Sequence, residues 1–285
     1  MIAFAPAKIN IGLYIVDKRP DEYHDIVTCM VPVQWFDVVE IVKADRQKSK
    51  FCVYGDFKHE VPLENNTISQ TLEILKEKFE IDDVEIHLLK QIPSGSGLGS
   101  ASSDAAATIN LVDKLFNLGQ SVSEKQLLAS RIGSDVPFFI EGNPAIASGR
   151  GEELEPVELP WLKDYFAIIV VPEERLNTAE MYSRINRFLS PPENFKVLLR
   201  QGPRHWKSRI INQFEPIAES IYPHFAQIKK ILYNAGAEYV SLSGSGSAYY
   251  GLFHKSENSK INYILNLVSK FIKVRIIKGI SFNLY

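Results

Sequence analysis

PSGSGLGSASSDAAA, residues Pro93 to Ala107, decides how the rest of the chain is read. It holds three glycines and five serines, and its one bulky residue is Leu98. Upstream, Val84, Ile86 and Leu88 alternate with Glu85 and His87, the period of a strand. Downstream, Ala105, Ile109, Val112 and Phe116 share one helix face, with a stop expected at Gly119. The stretch is therefore a turn between a strand and a helix. Glycines let a backbone take left-handed angles and come close to an anion. The free N–H groups and positive dipole end of the following helix favour phosphate there. The plain alternative is a flexible, serine-capped turn. Two common nucleotide loops are excluded by spacing. No lysine follows the glycines as GxxxxGK[ST] requires, and Gly95, Gly97 and Gly99 are spaced GxGxG rather than GxGxxG.

Outward from this turn the chain alternates strands and helices. Ile9, Ile11, Leu13 and Ile15 alternate with Asn10, Gly12 and Tyr14, which predicts a half-buried strand. Ile68, Leu72, Leu75 and Phe79 mark a helix face. Ser123 with Gln126 reads as a capping box opening a short helix. Gly149 to Leu162 is polar and contains Pro156 and Pro160, and is the expected domain boundary. Phe166 to Val171 reads as a buried central strand. Helices are expected near Thr178, over about 215–234 and over about 259–271. Strands are expected at Tyr239–Leu242, Tyr249–His254 and Val274–Ile277. No long parallel βαβ series occurs, so the class is α+β, in two domains of 1–155 and 156–285.

Composition narrows the function. Of 285 residues, 45% are hydrophobic and the net charge is −2, so no charge excess points to a nucleic acid or a membrane. Cys29 and Cys52 lie in no CxxC or Cys/His cluster, which excludes a visible zinc site and fits a reducing cytoplasm. MIAFAPAKIN lacks the pattern of a secretory signal, and the apolar runs are too short to span a bilayer. Oligomeric state is not specified.

The turn is similar to the ATP loop of the GHMP kinases, whose core reads P-x-G-x-G-L-G-S-S-A/G-S. Its SSDAAA ending looks most like the diphosphocytidyl-methylerythritol kinases, where GLGGGSSDAA is usual and Ser100-Ala101 here replaces two glycines. Pro6-Ala-Lys8-Ile-Asn10 resembles their PAKIN opening. Asp21-Glu-Tyr-His24 resembles DGYH, with Glu22 for glycine. Glu64 to Ile68 resembles a helix start, Gly133 to Phe138 resembles GADVPF, Asn212 to Glu215 resembles N-D-F/L-E, and Ser243 to Ser247 resembles a second glycine-rich segment.

The resemblance implies an N-terminal ribosomal-protein-S5-like domain and a C-terminal ferredoxin-like domain, with ATP and acceptor meeting between them. It implies phosphorylation of the 2-hydroxyl of a cytidine diphosphate-linked methylerythritol, using ATP and Mg²⁺, in non-mevalonate isoprenoid biosynthesis. Asp135 would be the base, with a turn or N-cap aspartate as its ordinary reading. Lys8 would pair with it and favour the alkoxide, against the ordinary reading of a solvated lysine. Asn10 shares the strand face of Lys8. ATP would contact Pro93, Gly95, Ser96, Gly97, Leu98, Gly99, Ser100, Ser102 and Ser103. Tyr23, His24, Thr178, Tyr182, Gly244 and Ser245, with Asn10, would hold the substrate, and Met30 stands where some relatives carry an aromatic. No protein metal site is implied, since Mg²⁺ arrives with the phosphates. His59, His87, His205, His224 and His254 have no supporting context. Two alternatives stay open: a GHMP kinase of homoserine or mevalonate type, and a non-catalytic nucleotide-binding relative.

Overall fold

The computed structural model describes residues 1–44, 49–271 and 274–282. They form two compact units interleaved in sequence. One contains Met1–Lys8, Trp35–Ser94 and Gly99–Asn143, and the other contains Ile9–Gln34, Gly95–Leu98 and the chain from Pro144. Two long strands, β1 (Ile2–Lys18) and β2 (His24–Lys43), each contribute to both units.

In the first unit the second half of β2 pairs antiparallel with β4 (Val84–Leu89), and β3 (Lys50–Tyr54) runs parallel to β4. Helix α1 (Thr67–Lys78) buries Ile68, Leu72 and Leu75, the stripe read from its sequence. It packs on α2 (Ser100–Phe116), where Ala105, Ala106 and Ala107 allow close approach. Helix α2 stops at Asn117, two residues before the expected Gly119, because Asn117 itself adopts the left-handed cap at φ 54°. The third helix, α3 (Val122–Ala129), is opened by Ser121 and Glu124 rather than Ser123 and Gln126. The Ser121 hydroxyl accepts from Glu124 N, and the Glu124 carboxylate accepts from Ser121 N. Helix α4 (Val136–Glu141) follows, with Pro137 in its first turn.

The second unit corrects several expectations. Gly149 to Leu162 is not a loose linker. β5 (Ala145–Ser148) and β6 (Glu153–Pro156) form a hairpin that pairs with the first half of β2, and a 3₁₀ turn from Pro160 to Asp164 follows. Strand β1 is buried on both sides between Ile9 and Ile15, not half-buried, and Tyr250 Oη donates to the Asn10 carbonyl from above it.

β7 (Tyr165–Pro172) is wholly buried, as its apolar run predicts. After it come α5 (Thr178–Ser183), α6 (Phe195–Gln201), α7 (Glu215–Ile221), α8 (Phe225–Asn234), β8 (Tyr239–Leu242), β9 (Tyr249–His254), α9 (Ile261–Phe271) and β10 (Val274–Ser281). The single helix expected over 215–234 is two, because Pro223 forces Tyr222 out of helical angles, to φ −126° and ψ 88°. The sheet order β10-β7-β9-β8, all antiparallel, is the order of a ferredoxin-like sheet. One core joins Leu13, Ile15 and Ile26 to Phe166, Ile168, Phe225, Ile228, Leu232 and Ile264.

Candidate active site

The phosphate turn has the shape its glycines require. Gly95, Gly97 and Gly99 all take positive φ, at 64°, 81° and 73°. At Gly97 the need is strict, since a Cβ would stand 2.0 Å from the Ser243 carbonyl oxygen. At Gly99 a Cβ would press on the Phe139 ring at 2.8 Å and on Lys8 Cε at 3.1 Å. Gly99 is also the N-cap of α2, where no side chain caps the helix and no acid occupies the first turn. A 17-residue helix thus begins with uncapped N–H groups. In that first turn the Ser103 hydroxyl is 1% exposed and has no hydrogen-bond partner among the described residues. These features fit a bound polyphosphate. The Leu98 and Pro93 side chains are buried, so their part is to anchor the turn. Ser96 is buried as well, its carbonyl accepting from Ala248 N.

Lys8 and Asp135, brought together within the first unit, form an ion pair at 3.2 Å, with Lys8 3% and Asp135 30% exposed. Asp135 does occupy the N-cap position of α4, yet its side chain caps nothing. The ordinary N-cap reading is thereby set aside: the carboxylate serves the lysine. Lys8 is no solvated surface lysine either, and its stem lies beside Gly99 at the mouth of α2.

The second unit assembles the other candidates. Ser243 Oγ donates to the Gly97 carbonyl at 2.9 Å and accepts from Asn10 N at 3.3 Å, so the two glycine-rich segments interlock. Asn10 Nδ2 donates to Thr28 Oγ1, which donates to the Gly12 carbonyl. Thr178 Oγ1 and Ser245 Oγ lie 2.9 Å apart. His24 stacks on Tyr182, with centroids 4.9 Å apart and planes 22° from parallel, and Phe188 leans on His24. Tyr182 is half-buried, its edge against Phe214. Burial, with the nearby charge of Lys18, holds the His24 imidazole below its ordinary value, so it is neutral near pH 7. A neutral ring offers one donor and one acceptor. Tyr23 is exposed and lies outside this stack, under the Arg150 guanidinium at 5.2 Å.

The GHMP kinases N terminal domain matches residues 66–143, and the GHMP kinases C terminal domain matches residues 195–266. A 4-diphosphocytidyl-2-C-methyl-D-erythritol kinase of Parabacteroides distasonis is 42% identical over 260 residues, 91% of this chain and 94% of that protein. The chain belongs to the 4-diphosphocytidyl-2-C-methyl-D-erythritol kinases of the GHMP superfamily. A kinase of the same name in Bacteroides fragilis is 37% identical, covering 90% of this chain and 93% of that one. A solved 4-(cytidine 5'-diphospho)-2C-methyl-D-erythritol kinase superposes with a TM-score of 0.79 at 27% identity, covering 99% of each chain. The mevalonate kinase of Methanococcus jannaschii shares the fold, with a TM-score of 0.70 at 15% identity over 99% of this chain and 98% of that one. Membership makes this chain an ATP-dependent small-molecule kinase.

Against other diphosphocytidyl-methylerythritol kinases, the departures noted in the sequence have local explanations. Glu22 keeps the glycine-like backbone at φ 65°, and its carboxylate pairs with Lys18 at 2.6 Å. Ser100 and Ala101 lie within the first turn of α2, where ordinary residues are favoured over glycine. Met30 is fully buried, so it offers no face to a ligand. Sequence reasoning missed a buried charge cluster at the root of the phosphate turn. Lys90 Nζ donates to Asp37 Oδ2 and Asp104 Oδ2, both at 2.6 Å, and Asp37 Oδ1 accepts from Gln91 N and Ile92 N. An aspartate inside the apolar run of β2 was the available signal. Thr28, Arg150 and Phe188 were also missed, and no motif marked them, whereas Ser243 lay within the second glycine-rich segment.

Proposed function

We propose that the chain transfers the γ-phosphate of ATP to the 2-hydroxyl of 4-diphosphocytidyl-2-C-methyl-D-erythritol. The acceptor oxygen forms a bond to the γ-phosphorus, the bond to the β,γ-bridging oxygen breaks, ADP leaves, and the hydroxyl proton passes to Asp135. Lys8 pairs with Asp135 and offsets negative charge on the oxygen as it attacks. The amides from Gly95 to Ser102 hold the triphosphate, and Ser102 and Ser103 add hydroxyls. Mg²⁺, carried in on the nucleotide, would neutralise phosphate charge, with the buried Ser103 hydroxyl in reach of a phosphate oxygen or of the ion. Residues 1–155 are read as the ATP-binding part and 156–285 as the C-terminal part. Asn10, Thr178, Gly244 and Ser245 are read as contacts to the acceptor.

The cytidine ring is read as bound against His24 and Tyr182, which together supply a stacking face and a ring nitrogen of each polarity. Two free thiols, Cys29 and Cys52, support a cytoplasmic location.

The observation that carries this reading is the buried lysine on an aspartate that declines its capping role. Asp135→Asn keeps the shape and removes the base. Its kcat should fall by about 10²–10⁴ while ATP still binds. Steady-state turnover with nucleotide titration decides it, and an unchanged kcat removes Asp135 from the chemistry. A panel of acceptors lacking cytidine tests the substrate, and equal turnover of homoserine or mevalonate would overturn it.

A further inference from the structure

The segment Asn212-Gln-Phe-Glu215 has been given no role above, yet its polar side chains at 212 and 215 are committed to one place. Asn212 is 1% exposed. Its Nδ2 donates to the carbonyls of Leu242, at 2.9 Å, and Gly244, at 2.8 Å, and its Oδ1 accepts from Phe214 N at 2.9 Å. Both amide protons are thus spent on the strand end that opens the second glycine-rich turn. Glu215 completes the grip. Its Oε1 accepts from Leu242 N at 2.8 Å, while its Oε2 pairs with Lys229. Leu242 is therefore held at both its N–H and its carbonyl. Gly244, next but one, sits at φ 57°, where a Cβ would lie 3.3 Å from Asn10 Oδ1. Backbone hydrogen bonds pin the segment itself, from Leu13 N to the Ile211 carbonyl and from Gln213 N to the Leu13 carbonyl.

On its other side the same turn carries working contacts. Ser243 Oγ bonds the Gly97 carbonyl and Asn10 N, and Ser245 Oγ meets Thr178. Two polar side chains thus fix the turn from behind, and the turn meets the phosphate loop and the acceptor contacts in front. A backbone shift of an ångström at such a distance from the chemistry is enough to slow catalysis severely.

We propose that Asn212 and Glu215 are positioning residues for phosphoryl transfer, setting the 243–247 turn so that Ser243 meets Gly97 and Ser245 meets Thr178. This rests on reading that turn as part of the active site. An aspartate at 212 has no donor and would set a carboxylate against two carbonyls. A glutamine at 215 keeps the oxygen that accepts from Leu242 N and loses the charge facing Lys229.

The test is steady-state kinetics on the full-length enzyme with melting temperatures, using Asn212→Asp, Asn212→Ser, Glu215→Leu, Glu215→Gln and the core control Leu232→Ala. Asn212→Asp and Glu215→Leu should lower kcat/KM by about 10- to 100-fold, mainly through KM for ATP and acceptor. Glu215→Gln should restore most of it. Leu232→Ala should lower the melting temperature with both KM values unchanged. If Asn212→Asp does not fold, Asn212→Ser, which keeps one donor, carries the comparison. Wild-type KM values in a folded position-212 variant would overturn the proposal, as would KM values in Leu232→Ala that rise with its loss of stability. An inactive wild type would instead refute the kinase reading itself, so the two failures are distinguishable.

Discussion

The chain has two glycine–serine turns, and they are built on opposite plans. The first, from Pro93 to Ser103, runs from a strand into a long helix, and the N–H groups of that helix start meet no capping side chain. The second, Ser243 to Ser247, joins β8 to β9, and the strand end before it is tied down by Asn212 and Glu215. One turn leaves its N–H groups without a capping side chain. The other is held by side chains of its own protein. Similar composition thus gives different hydrogen-bond settings, decided by the element on the C-terminal side of the glycines: a helix with its dipole in one case, a strand with its antiparallel partner in the other.

Gly97 is where the two plans meet, and changing it should have the largest effect. Gly97→Ala places a methyl at 2.0 Å from the Ser243 carbonyl and forces an alanine to φ 81°. Left-handed angles alone cost about 1–2 kcal/mol. KM for ATP should rise by about 100-fold and the melting temperature should fall. Gly95→Ala meets the same φ penalty in open space, so it should cost much less. Equal effects at the two positions would show that backbone strain, and not the interlock, matters.

The footing of the first turn gives the next largest effect. Burial, reinforced by the charge of Asp37 and opposed by Lys90, pushes the Asp104 carboxyl up to about 7. The folded protein then binds a proton that the unfolded chain releases near its ordinary value of 3.8. Stability should fall as pH rises from about 4 to about 7. Asp104→Asn should flatten that slope in melts at pH 4.5 and 7.5, where an unchanged slope would discard the assignment. The smallest effect concerns His24. Since its imidazole is held below the ordinary histidine value, acceptor KM should stay flat near neutrality and rise only in more acidic buffer, as the ring loses its acceptor. His24→Gln should abolish that rise.

Much of this was legible in the sequence because small residues at fixed spacing have few uses. The strand, turn and helix around Gly95, Gly97 and Gly99 can be read directly from period and propensity. Lys8 and Asp135 were recognisable only by their neighbours, since ion pairs across long sequence separations leave no periodic trace. The half-buried reading of β1 failed because alternation assumes that one face meets water, whereas Asn10 and Tyr14 bury their polar atoms against Thr28 and Ile211 N. The helix over 215–234 failed at one residue, Pro223, inside an otherwise helical pattern. The capping box lay two residues upstream of its expected place, because Ser121 and Ser123 look alike until the backbone shows which one has extended angles.

The interleaving of the two units bears on synthesis. Leu13, Ile15 and Ile26 complete the same core as Phe166, Ile228 and Ile264. These early residues leave the ribosome long before their partners exist. The second unit therefore closes only once Ile264 has been synthesised, and a fragment starting at residue 156 would emerge with part of its interior missing.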